Sequence, residues 1–257
     1  MPDFSSKKQY AFVIQQLTGR EIKRKYARSY LGILWSVLNP LLSMAVLSLI
    51  FSQLFRRSIE NYPIYYLTGY ILWQMFTGAT TAAISTLVDN KPLLLKVKFP
   101  MELFVLVRVY TAFINFLYSA AAYAVMLLVF RVTPKWTMLF SPVIILLLFL
   151  FSLGLSLLLS AAYVYFGDVR HLYSVFLTLW MYCSAIFYPA EQLQGVIRAV
   201  ILCNPLYAYI HSLRSVVMEG ALPGGWELVQ MFLWGIGMAA AGMLVFRRSK
   251  NKLIQKL

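Results

Sequence analysis

A dense basic run, Arg20, Lys23, Arg24, Lys25 and Arg28, leads straight into Leu31 to Phe55, an apolar stretch without a charge. At 1.5 Å rise per residue, a helix over that stretch is long enough to cross a hydrocarbon core of about 30 Å with some tilt. Cations beside a span favour the cytoplasmic face. The chain is therefore expected to start inside, lie on the inner surface and then cross outward.

Composition agrees. Of 257 residues, 61% are hydrophobic and 12% charged, which excludes a soluble domain and a disordered chain. A net charge of +14 would suit nucleic acid, but the charges cluster at the ends of apolar spans, where topology signals sit. No cleavable signal peptide is expected: Met1 to Lys8 is polar, and the first apolar span is too long for a signal core. The two cysteines, Cys183 and Cys203, lack CxxC or His partners at metal spacing and read as buried apolar thiols.

Hydropathy divides the chain into expected spans at 31–55, 62–87, 103–130, 138–166, 172–189 and 227–246. Lys and Arg number 17 on the side of both termini and 6 on the other, which places both termini in the cytoplasm. Ahead of the first span, Tyr10, Val13, Ile14 and Leu17 share one helical face, and Glu21 precedes Lys25 by a favourable four residues. This segment is too polar to insert and reads as an interfacial helix. In the 88–102 loop, Asp89 or Asn90 can cap a short surface helix, Pro92 suits its first turn and Pro100 ends it. Between Tyr188 and Trp226 lie two apolar pieces too short to span, broken at Asn204-Pro205. A re-entrant or interfacial helical hairpin explains them.

These readings give an all-α membrane protein. Six transmembrane helices carry an N-terminal interfacial amphipathic helix and a re-entrant outer hairpin between helices 5 and 6. It is expected as a single domain over 1–257, with the interfacial helix at 8–28, the six-span core at 31–246 and a cytoplasmic tail at 247–257.

No reaction chemistry is visible. His171 and His211 lack metal-ligand spacing, and the absence of any Gly-Lys dipeptide excludes a Walker A phosphate loop. Energy for any work must come from another chain. Tyr62, Tyr66, Tyr70 and Trp73 fall on one face of the second span, and Trp180, Tyr182, Phe187 and Tyr188 lie in the outer half of the fifth. Such rings form an interfacial belt or packing. Alternatively, they line a conduit for a sugar or polyol chain, along which polar-tipped rings bury no charge. Ser152, Ser156 and Ser160, and Gly235 with Ala239, recur every four residues as close-packing faces. Arg108 lies about one and a half turns inside the third span, where it snorkels or faces a polar pathway.

Ile22-Lys23-Arg24-Lys25-Tyr26-Ala27-Arg28-Ser29-Tyr30-Leu31-Gly32-Ile33-Leu34-Trp35, running on to Asn39-Pro40-Leu41, resembles the start of the first span in a known family. These are the ABC exporter permeases for cell-surface polysaccharides and polyol phosphates, including O-antigen, capsule and wall teichoic acid exporters. Asn90, Leu93, Leu94, Lys96, Phe99 and Pro100 are similar to that family's ATPase-coupling loop, and Tyr188-Pro189 and Asn204-Pro205-Leu206 to its outer re-entrant region. The resemblance covers nearly the whole chain in motif order. One departure is Gly167-Asp168 at the inner turn between spans four and five, where family members often have Arg-Asp; Arg170 is near.

The resemblance implies a permease of the bacterial cytoplasmic (inner) membrane. Two copies would pair with two ATP-binding subunits that hold ATP and Mg; no cofactor belongs to this chain. A lipid-linked glycan or polyol-phosphate polymer would pass outward through a channel at the permease dimer interface. Asn90, Pro92, Leu93, Leu94, Lys96, Phe99, Pro100, Asp168 and Arg170 would receive the ATPase. Arg20, Lys23, Arg24, Lys25 and Arg28 would form the cytoplasmic gate or interface. Tyr66, Tyr70, Trp73, Trp180 and Tyr188 would border the polymer path. Rival readings are an exporter of a small lipid or drug on the same scaffold and a passive pore or scaffold subunit, which copurification with an ATPase would separate from an exporter. A membrane-embedded glycosyltransferase or lipid phosphatase would need clustered carboxylates or phosphate-binding motifs, and none is found.

Overall fold

The computed structural model describes residues 7–27, 29–54, 59–96 and 100–257; among them every regular element is a helix. The chain runs through α1 (Lys7–Tyr26), α2 (Leu34–Leu54), α3 (Tyr62–Ile84), α4 (Thr86–Asp89), α5 (Lys91–Lys96) and α6 (Glu102–Val129). It continues through α7 (Ser141–Tyr165), α8 (Val169–Tyr182), α9 (Gly195–Leu202), α10 (Pro205–Arg214) and α11 (Gly225–Lys256). Among the described residues, four helical stretches are long and apolar enough to cross a membrane: Leu34–Gln53, Glu102–Val129, Trp136–Tyr165 and Gly225–Lys256. A fifth is added if α9 and the following helix to Glu219 are one broken span. The chain is a multi-pass membrane protein.

Two expected spans take another form. The 62–87 span is a helix only over Tyr62–Ile84, turns at Ser85 and resumes as α4. Its polarity is tolerated because protein surrounds it. Thr68 and Thr80 are fully buried and donate to the carbonyls of Ile64 (2.7 Å) and Phe76 (2.9 Å) in the preceding turn. The 172–189 span stops at Tyr182, so α8 is about 21 Å long, shorter than a hydrocarbon core. The carbonyls freed at its end are taken by side chains from the next hairpin. Asn204 Nδ2 donates to Cys183 O (2.8 Å), and Arg214 donates to Ala185 O and Ile186 O (2.9 Å each). Those partners hold Ala185 at a left-handed φ of 47°.

The hairpin breaks where Asn204-Pro205 stands. α9 and the α10 stretch meet at 81°, and Asn204 Oδ1 caps α10 by accepting from Leu206 N (3.0 Å). The cysteines are not buried as expected: Cys183 is half-buried and Cys203 exposed, because both border an open apolar groove of about 670 Å³ between α7, α8, α9 and α11.

α7 and α11 pack through their smallest residues. Ser152, Ser156 and Ser160 are fully buried, and a Cβ on Gly154 would lie 2.2 Å from Met238 O. The main core fills the bundle around α3, α6, α7 and α10. A second core closes one end, where Leu87, Met101, Leu157, Phe246 and Leu253 meet with Leu94 packed against them. Over 247–257 α11 continues to Lys256, and Leu253 is fully buried. α1 joins the same end through Arg108, which pairs with its Glu21 and also reaches Asp89 of α4.

Candidate functional site: a polar cavity with a basic mouth

α1, α2, α3 and α6 enclose a cavity of about 830 Å³. α1 supplies Glu21, Arg24, Lys25 and Tyr26 at one end; α2 supplies Trp35, Ser36 and Asn39. The other two walls are polar stripes on helices that are otherwise apolar. On α3, Gln74, Thr77 and Thr81 follow i, i+3, i+7, beside Tyr70 and Trp73. On α6, Arg108, Thr111, Asn115 and Ser119 recur every three or four residues. Hydrogen bonds hold the walls together. Tyr26 OH donates to Asn115 Oδ1 (2.8 Å) and Ser119 Oγ to Ser36 O (2.7 Å).

Arg108 lines the cavity and does not stand alone. Its Nη1 pairs with Glu21 Oε2, its Nε donates to Thr86 Oγ1 (3.2 Å), and its Nη2 lies 4.0 Å from Asp89 Oδ2. The side chains of Arg108 and Glu21 are only 14% and 11% exposed. One guanidinium therefore joins the interfacial helix, the third long helix and the 86–89 turn.

The expected gate residues divide. Arg24 and Lys25 line the mouth, Arg20 lies 4.0 Å from Glu21, and Lys23 is exposed. Arg28 is outside the described residues.

The expected coupling loop forms a helix beginning at Lys91, with Pro92 in its first turn. Asn90 does not cap it by its side chain. Its Nδ2 donates back to Thr86 O (2.8 Å), while its carbonyl accepts from Leu93 and Leu94 N–H. Leu94 leans on the second core, Leu93 is half-buried and Pro100 precedes α6. Lys96 ends α5, and Phe99 lies outside the described residues. Asp168 and Arg170 are exposed at the start of α8.

Of the five expected path residues, Tyr70 and Trp73 line the cavity. Tyr66 is buried beneath them, stacked between Tyr70 and Phe187 at 5.1 and 5.8 Å. Trp180 and Tyr188 lie elsewhere. Trp180 donates to Asn204 Oδ1 (2.8 Å), and Tyr188 OH donates to Tyr182 O. The aromatic stripe is thus partly cavity wall and partly core. Gln74, Thr77, Thr81, Thr111, Asn115 and Ser119 are absent from the sequence expectations. Their helical spacing within apolar spans was the signal that could have found them.

A second cavity, of about 770 Å³, opens at the other end of the bundle between the start of α3, the 130–135 turn and α10. There His211 bridges two carboxylates, with Nδ1 2.9 Å from Glu227 Oε1 and Nε2 3.8 Å from Glu191 Oε1. Among the described residues no His, Cys, Asp and Glu cluster is placed to hold a metal.

Comparison with known proteins agrees with this architecture. The model of the family "ABC-2 type transporter" matches residues 13–218. The chain is 30% identical to an O-antigen export system permease protein of Myxococcus xanthus, over 97% of this chain and 96% of that one. It is 29% identical to an O-antigen export system permease protein of Klebsiella pneumoniae, over 94% and 93%. It is also 20% identical to a polysialic acid transport protein of Escherichia coli, over 94% and 95%. A family match over most of the chain, together with full-length relatives and this helical membrane fold, establishes that the chain belongs to the ABC-2 type transporter family.

Proposed function

We propose that this chain is the membrane subunit of an ATP-driven exporter of a lipid-linked cell-surface polysaccharide. It works as two copies with two separate ATP-binding subunits. The end carrying α1, α5 and the last turn of α11 faces the cytoplasm of a bacterial inner membrane. The α4–α5 turn receives the ATPase stroke, and the cavity forms each copy's share of the polymer path at the dimer interface. ATP and Mg belong to the partner subunit. The observation that carries this reading is the cavity itself. Hydroxyls, amides and the rings of Tyr26, Trp35, Tyr70, Trp73 and Phe116 line a space inside a bundle whose outer faces are apolar, and Arg24 and Lys25 stand where a lipid phosphate would arrive. Hydroxyl and amide walls exchange hydrogen bonds with sugar hydroxyls, and ring faces let a sugar slide.

Filling the path tests the reading. Thr111→Leu with Asn115→Leu, expressed with the ATP-binding subunit in cells lacking the native chain, is expected to lower surface polymer at least tenfold, with the complex still assembled. Normal surface polymer in that variant would remove the cavity from the path. The purified chain alone is expected to show no ATP hydrolysis; a rate matching that of the whole complex would contradict the assignment.

A further inference from the structure

Charge is scarce along the helices that enclose any route through this protein. α2, α3 and α7 contain no Asp, Glu, Lys, Arg or His. α6 carries Glu102 and Arg108 near its start and no charge after them. α11 has Glu227 in its first turn, and its next charged residue is Arg247. Among the described residues, Arg108 is engaged with Glu21 and Arg214 with three backbone carbonyls, while Arg131 and Lys135 stand only at the far end, beside the second cavity. Past its mouth the cavity offers Gln74, Thr77, Thr111 and Asn115 with the rings of Tyr70 and Trp73, all uncharged.

An anionic chain would thread this length with one phosphate or carboxylate after another lacking a counter-charge. Pores built for anions answer that cost with rings of Arg or Lys. A second copy of the chain would bring the same five helices and so no further cation from their described length. Amides and hydroxyls instead replace water on neutral sugar hydroxyls without desolvating an ion. We infer that the exported polymer has an uncharged repeating unit, its anionic part confined to the lipid-phosphate end that Arg24 and Lys25 meet. The inference rests on the export reading above and narrows it. Family membership does not decide the point, since one relative is named for polysialic acid transport.

The test uses the chain with its ATP-binding subunits in liposomes and two undecaprenyl-diphosphate probes of equal length. One bears a neutral hexose oligomer, the other an oligomer of a carboxylated sugar. Delivery is read as ATP-dependent exposure to a membrane-impermeant glycosidase. The neutral probe is expected to be delivered at least tenfold faster. Equal or faster delivery of the acidic probe overturns the inference and leaves the export reading standing. Delivery of neither, with ATP hydrolysis intact, overturns the export reading and the inference with it. Asn115→Lys is expected to narrow the preference at least threefold by admitting the acidic probe. An unchanged preference would overturn the assignment of selection to this cavity.

Discussion

Arg214 is 3% exposed, yet it faces backbone rather than a carboxylate. Its Nε donates to Tyr65 O (3.1 Å), its Nη1 and Nη2 to Ala185 O and Ile186 O, and its Cζ lies 3.4 Å from the centre of the Tyr65 ring. Gly69 leaves the room: a Cβ there would stand 2.8 Å from Arg214 Nη2. The planar fork, carried at the end of α10, thus satisfies carbonyls of α3 and of the turn after α8 together. Arg214→Met leaves buried carbonyls without donors and is expected to cost about 3 kcal/mol. That corresponds to a thermal midpoint roughly 5–10 °C lower in detergent. Arg214→Lys is expected to recover less than half, because one ammonium cannot reproduce the fork. An unchanged midpoint in the methionine variant would contradict this role. Nothing adjacent in the sequence marks Arg214 as buried; only its neighbours in space do.

At the scale of elements, α11 explains how the α4–α5 turn is held. It is about 48 Å long, well beyond a hydrocarbon core of about 30 Å, so it is long enough to reach past the core with its last turns. There Phe246 and Leu253 are fully buried with Leu87 and Met101, and Leu94 of α5 packs on the same cluster. A push on α5 therefore meets a braced surface. Leu253→Ala removes the brace at a cost of about 3 kcal/mol. It is expected to raise ATP hydrolysed per polymer exported at least threefold in the assembled complex, with Leu253→Met restoring the wild-type ratio. An unchanged ratio in the alanine variant would show that α11 only fills space. The hydropathy pattern ends the last span near 246, and the polar residues after it hide the two leucines that dock, Leu253 and Leu257. The small-residue spacing of α7 and α11 was legible, because close helix packing needs small side chains at every turn.

Across the whole molecule, Arg108 joins parts far apart in sequence. Glu21 on α1, Asp89 and Thr86 on α4, and Arg108 on α6 make one unit. Movement at the 86–89 turn is thereby tied to the basic mouth of the cavity. A double-mutant cycle of Glu21→Gln and Arg108→Gln, read by thermal unfolding, is expected to give a coupling of about 1–2 kcal/mol. Strict additivity would show that the two groups merely lie near each other. Either single variant is expected to lower polymer export more than it lowers ATP hydrolysis.

The sequence by itself determined that this chain is a helical membrane protein with an interfacial helix before its first span, a short helix near 91–96 and a break at Asn204-Pro205. Those features are local: apolar length, caps and proline act within a few residues of where they are written. It also carried the polar stripes of α3 and α6, although each stripe alone reads as an oddity on a span. Tertiary structure decided that the stripes face each other across one cavity, that Tyr66 lies in the core while Tyr70 and Trp73 line the space, and that α8 stops at Tyr182. The reason is that a buried polar group is placed by the partner that satisfies it. Those partners, Glu21 for Arg108, and Asn204 and Arg214 for the end of α8, lie 20 residues or more away along the chain.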